Sequence, residues 1–179
     1  MQTIIVVIVL AVLSAAVILL AAGLVEIYAE LRQVREVVRL QDSPKRVRLD
    51  TLGRKVADLL PDPPPALEFN GGPPHYVLVL SNSCAVCRDI AQSLATTGEV
   101  RADLTVLVAS DNETAGAEFI KGVGLRSRRL LVDARGENAK LLGINSSPTI
   151  VKVEDGQLTD AANLTSLRQL ELFTEGRFA

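Results

Sequence analysis

The chain has no tryptophan, one histidine and two cysteines among its 179 residues, and these shortages narrow its chemistry before any motif is considered. Structural zinc takes four ligands, and Cys84, Cys87 and the lone His75 do not supply them from one chain. Without Trp, and with only two Tyr and four Phe, a core has to be built from Val, Leu, Ile and Ala. The 48% hydrophobic content is enough for one such domain once a separate apolar run is set aside. There is no excess of positive charge: the net value is −2, which argues against a nucleic-acid partner, since phosphate backbones are held by clustered Lys and Arg. Internal repeats are absent from the sequence, and one proline tract is its only low-complexity stretch.

What the chain does have begins near its start. From Thr3 to Val25 no charged residue appears, and Ile, Val, Leu and Ala are interrupted only by Ser14 and Gly23. Such a run is long enough to cross a bilayer as one helix, so residues 3–25 are predicted to be a transmembrane anchor in a single-pass membrane protein. A cleaved secretory signal fits less well, because no basic residue precedes the run and it is long for a signal core. No cysteine follows it closely, which removes a lipoprotein anchor.

Residues 26–65 are expected to form a helical stalk and a linker. Ile27, Leu31, Val34 and Val38 recur at helical spacing, with Arg32 and Glu36 placed as an i,i+4 pair. After the break at Asp42-Ser43-Pro44, Leu49, Leu52, Val56, Leu59 and Leu60 predict a second amphipathic helix. It ends before Pro61-Asp62-Pro63-Pro64-Pro65, a semi-rigid spacer.

Residues 66–179 carry the readable order of a domain. Leu67-Glu68-Phe69 is predicted as a short edge strand and Tyr76 to Leu80 as a central strand. A helix runs from Cys84 to about Thr97, followed by a strand at Leu104 to Val108. A helix at Glu113 to Lys121, ended by Gly122 and Gly124, comes next. Leu130-Leu131-Val132 is a third buried strand, with a short helix at Ala139 to Leu142 after it. Ile150 to Val153 is a strand turned by Glu154-Asp155-Gly156, and Leu164 to Phe173 is a closing amphipathic helix. Alternating strands and helices with one late hairpin predict an α/β fold, a mixed sheet with helices on both faces.

The two cysteines lie three residues apart in Ser83-Cys84-Ala85-Val86-Cys87-Arg88, directly after the central strand. Randomly scattered cysteines would take that spacing roughly one time in a hundred, so a redox pair is the better reading. At a strand-to-helix junction the unpaired amide N–H groups of the first turn favour negative charge and so a reactive thiolate. Cys84 is then the attacking thiol and Cys87, one turn in, the resolving one. Arg88 could add positive potential, although an arginine there is as often a solvated helix residue. A merely structural disulfide would close so short a loop that it would stabilise little.

From about Leu67 to Phe173 the chain resembles thioredoxin-fold domains. Two separated motifs carry the resemblance: Cys84-Ala85-Val86-Cys87 at a helix start, and Ser147-Pro148-Thr149 before a strand and a glycine turn, which matches the family's cis-proline loop. Within that superfamily it is similar to the membrane-tethered thioredoxin-like disulfide oxidoreductases of the TlpA and MauD kind. It departs from them in having Ser83 before the first cysteine, where Trp is usual, and no proline between the pair. The resemblance implies an enzyme, a thiol–disulfide oxidoreductase that exchanges disulfides with client proteins and needs no cofactor, with Ser147 and Pro148 forming the substrate groove. With no further cysteine to relay electrons, such a chain requires a membrane redox partner of the MauE or DoxX-like type.

Two alternatives stay open: a tethered thioredoxin-fold binding or accessory module without turnover, and a peroxiredoxin-like peroxidase. For the latter, Ser81 stands where that family's hydroxyl would, but Val77 stands where its proline would. Orientation is also contested. Arg32, Arg35 and Arg39 follow the anchor and no basic residue precedes it, which alone puts the domain in the cytoplasm. A redox pair makes most sense where disulfides persist, and the tethered relatives work on the outer face. The expectation is an extracytoplasmic domain.

Overall fold

The computed structural model describes residues 23, 43–69, 72–97 and 100–177. Apart from Gly23, the anchor expected at 3–25 lies outside the described residues, as does the first stalk helix. Among the described residues no helix is long and apolar enough to cross a membrane.

The sheet is organised around the strand that leads to the cysteines. Strands β1 (Lys45–Arg46), β2 (His75–Ser81), β3 (Leu104–Ser110), β4 (Leu130–Ala134), β5 (Thr149–Glu154) and β6 (Gln157–Asn163) form one mixed sheet in the order β1-β6-β5-β2-β3-β4. β2 pairs with β3 in parallel, from Tyr76 opposite Leu104 to Ser81 opposite Ala109, and with β5 antiparallel, from His75 opposite Val153 to Val79 opposite Thr149. A strand paired on both edges and covered on both faces has no solvent side. That is why Tyr76-Val77-Leu78-Val79-Leu80 shows no polar alternation and is buried throughout.

The helices divide between the faces. α2 (Ala85–Thr96), α3 (Glu113–Val123) and α5 (Leu167–Thr174) cover one face, where Leu78, Leu80, Val106, Val108 and Ile150 meet Ile90, Leu94, Phe119, Leu170 and Phe173. The other face, with Val77, Val79, Leu107 and Val151, is covered by α1 (Val56–Leu59) and α4 (Glu137–Leu141) together with Leu60, Leu67 and Ile144. The architecture is thus a mixed α/β sheet flanked by helices on both faces. Local chemistry fixes the ends of α3: the Asn112 side chain accepts from the Ala115 N–H at 2.9 Å, and Gly124 closes the helix at φ 72°.

Several expectations are corrected. The amphipathic helix expected from Leu49 to Leu60 is only the four-residue α1, because the surrounding backbone bonds to the β5–β6 hairpin instead. The Gly53 N–H donates to the Leu158 carbonyl at 2.7 Å, and the Val56 N–H to that of Gly156 at 2.8 Å. Residues from Ser43 onward cluster with the sheet in one compact unit. Leu67-Glu68-Phe69 is not a strand. Prolines that cannot donate to a ladder start a 3-10 turn, Pro65–Leu67, which sinks Leu67 into the core. Finally, β4 is the sheet's outer strand, only half-buried at Leu130, Leu131 and Val132, and the preceding helix runs through Gly122 to Val123.

Candidate active site

Strand β2 ends at Ser81, and two turn residues later the chain enters α2 with Cys84 as its N-cap. The Cys84 backbone is extended (φ −96°, ψ 121°), and its Sγ accepts the backbone N–H of Cys87 at 3.1 Å. The sulfur thus takes the place of the Ser or Asp oxygen that usually satisfies a first-turn amide. Cys84 is half-buried and Cys87 is fully buried. Burial, together with the hydrogen bond to Cys84, pushes the Cys87 thiol from its ordinary 9.0 up to about 12. Both thiols are free.

The second motif comes to the same end of the sheet from the other side of β2. Because β5 is antiparallel to β2, the residues just before Thr149 lie beside the end of β2. Ser147 and Pro148 are joined by a cis peptide bond, and the Ser147 carbonyl lies 3.8 Å from the Cys84 Sγ. The loop is tied down on both sides. The Pro148 carbonyl accepts the Leu164 N–H at 3.0 Å, and Thr149 Oγ1 lies 2.7 Å from both the Ser146 carbonyl and Asn163 Oδ1. One hydroxyl proton serves one of those oxygens, so an Asn163 amide turned to donate completes the set.

Cys84, Cys87, Ser147 and Pro148 therefore gather at one place, although residues 88–146 separate the motifs in sequence. His75 does not join them: it sits at the opposite end of β2, its ring tilted 40° against that of Phe69 at 5.4 Å between centroids. Arg88 is exposed and lines a cleft of about 400 Å³ with Asn82, Gln92 and Glu118. Ser81 Oγ lies 3.0 Å from Ser83 Oγ and also accepts the Ser83 N–H, so its bonds run along the turn.

Sequence reasoning missed Ser146 and Asn163, which brace the proline loop with Thr149. The residues stand 17 positions apart, and only the β5–β6 register brings Asn163 opposite Thr149. Val86, between the cysteines, has 37% of its surface exposed and so puts an apolar side chain outside the helix, an exposure that sequence reasoning did not foresee.

Chemically, the arrangement offers a half-exposed thiol at a helix start, a sealed thiol behind it, and a backbone carbonyl facing the first. That is the equipment for dithiol–disulfide exchange, in which one sulfur attacks and the other resolves.

No family model matches the chain, and no curated protein matches it. Solved structures do resemble it. A secreted Mycobacterium tuberculosis disulfide oxidoreductase, homologous to DsbE of E. coli, is 23% identical over 57% of this chain and 79% of its own, with a TM-score of 0.45. StoA from Bacillus subtilis is 19% identical over 59% of this chain and 84% of its own, with a TM-score of 0.46. A peroxiredoxin-like protein from Aquifex aeolicus is 10% identical over 61% of this chain and 72% of its own, with a TM-score of 0.43. Likeness at this level carries no activity, substrate or partner across to the chain.

Proposed function

We propose that this chain is a membrane-anchored thiol–disulfide oxidoreductase that exchanges disulfides with client proteins through Cys84 and Cys87. The observation that carries the reading is the asymmetry of the pair. Cys84 is reachable and accepts a helix-terminal N–H, while Cys87 is sealed and held protonated one turn behind it.

In the reducing direction the Cys84 thiolate attacks one sulfur of a client disulfide. The client S–S bond breaks, a Cys84–client mixed disulfide forms, and the departing client thiolate takes up a proton. Cys87 then gives up its proton and attacks the Cys84 sulfur. The second client thiol is released, and the pair is left as a Cys84–Cys87 disulfide, two electrons poorer. The client backbone lies against Ser147 and Pro148, whose carbonyl side faces the reacting sulfur. Ala85 and Val86 bring no cation between the thiols, which favours a reductant over a strong oxidant. Regeneration falls to a membrane redox protein of the MauE or DoxX-like type, since the chain has no third cysteine. The domain works on the extracytoplasmic side, held by the apolar run at 3–25.

The purified full chain in detergent is assayed for insulin reduction with dithiothreitol as donor. Turnover that disappears in Cys84→Ser supports the reading, and equal turnover in that variant overturns it. Protease added to intact spheroplasts should digest the domain; full protection would move it to the cytoplasm.

A further inference from the structure

A second site of a different kind lies at the other end of the sheet. Strands β2, β3 and β4 run parallel, so Cys84 follows their ends while the segments leading into β3 and β4 meet at their starts. Residues 100–102 and 126–129, in those two segments, line a cleft of about 840 Å³, roughly twice the volume of the one beside Arg88 at about 400 Å³. Four arginines line it: Arg101, Arg126, Arg128 and Arg129.

Among the described residues, one of these charges is compensated by a carboxylate. Arg101 is clamped by Asp103, Nε to Oδ1 at 2.9 Å and Nη2 to Oδ2 at 2.7 Å. Arg126, Arg128 and Arg129 pair with no carboxylate among the described residues. Arg129 is the most demanding of them, because its Nη1 is buried and has no hydrogen-bond partner. A guanidinium nitrogen held out of water with no acceptor is unfavourable unless something answers it. Its backbone is fixed: the Arg129 N–H donates to Ser127 Oγ at 3.1 Å, and the Arg129 carbonyl accepts from Val106 at 2.8 Å. The positive charge is therefore built into the starts of β3 and of the outer strand β4 in a chain of net charge −2.

We propose that this cleft is a binding site for a phosphate group. Guanidinium forks match the oxygens of a phosphate in pairs, which lysines do not. Among the described residues that line the cleft there is no aromatic ring to stack a base. The ligand is held by its phosphate, carried either by a free small molecule or by a lipid headgroup.

The test uses the full chain in nonionic detergent, titrated calorimetrically with inorganic phosphate and pyrophosphate at constant ionic strength in chloride. Saturable binding at one site is expected, tighter for pyrophosphate, and weakened about tenfold or more by Arg126→Ala/Arg128→Ala, two exposed positions. Insulin reduction should be unchanged in that variant. Arg129→Met should lose phosphate affinity and yet melt no lower, because it removes a buried guanidinium nitrogen that has no partner. Reconstitution in phosphatidylglycerol discs separates the sources: a headgroup in the cleft abolishes the phosphate isotherm, and a free ligand's site leaves it intact. Binding no tighter than chloride, binding that survives the double substitution, or an acidic peptide that outcompetes pyrophosphate would each overturn the proposal.

Discussion

The backbone N–H of Cys87 points at the sulfur of Cys84, 3.1 Å away, while the thiol of the same residue is closed off from solvent. One residue thus supports the nucleophile through its main chain and holds back the resolving group in its side chain.

The first consequence concerns trapping. Cys87→Ala keeps the amide that faces Cys84 and removes only the second sulfur, so a mixed disulfide with a client should accumulate. Cys84→Ala should trap nothing. Mass spectrometry after brief exposure to oxidised insulin distinguishes them, and adducts on Cys87 in the second variant would reverse the roles.

The second concerns pH. Iodoacetamide at pH 8 should label Cys84 in the reduced protein and leave Cys87 unlabelled, because its thiol is pushed up to about 12. Unfolding returns that thiol to an ordinary 9.0. Between those values the unfolded chain has lost the proton and the folded chain keeps it, so stability is fully present below about pH 9 and falls as pH rises toward 12. Urea titrations of the reduced protein at pH 8 and 10.5 should show the loss, and Cys87→Ala should show less of it. A reduced protein equally stable at both values would contradict the assignment.

The third concerns the proline loop. Thr149→Val removes the hydroxyl that links Ser146 and Asn163. Stability should drop by about 1–2 kcal/mol, and KM for a protein client should rise more than kcat falls, because the Ser147 carbonyl loses its brace rather than the sulfur its reactivity. A selective fall in kcat would mean that Thr149 acts on the chemistry itself.

The fourth concerns packing behind the site. A Cβ on Gly116 would collide with Val132 Cγ1 and stand 2.8 Å from Ser110 Oγ. Helix propensity favours Gly116→Ala by about 1 kcal/mol, whereas overpacking costs about 1–3 kcal/mol. The strand behind leaves little room, so a net loss of stability in thermal or urea unfolding is expected. A gain would show that Val132 swings aside at low cost.

The reach of the sequence followed from where structure is locally decided. β2 and α2 were legible because Gly72-Pro73-Pro74 stops the chain before an uninterrupted apolar run, and the cysteines mark the junction that follows. The pairing of Ser147-Pro148 with Cys84 was legible only through resemblance, since proximity comes from the antiparallel β2–β5 register. Lys45–Arg46 carried no strand signal: both residues are exposed, and their pairing with Asn163 and Ala162 is imposed by β6. Leu49 to Leu60 had helical spacing, yet Leu49, Leu52 and Leu60 cover a sheet face from outside the short α1. Periodicity alone cannot separate those cases. The arginine cleft was equally hidden, because 101 and 126–129 meet only through the parallel pairing of β3 and β4.

The early segment's attachment to β6 bears on how the protein can be cut. A recombinant fragment beginning at Ala66 would strip Val56, Leu59 and Leu60 from one side of the sheet and leave Val77, Val79, Val151 and Leu158 facing water. It would also bare the outer edge of β6, whose Asn163 and Ala162 pair with Lys45 and Arg46. An exposed apolar face beside an open strand edge is a template for self-association. A fragment starting at Ser43 keeps both covered, so the shortest soluble form of this domain should include the residues that the proline tract seemed to mark as dispensable.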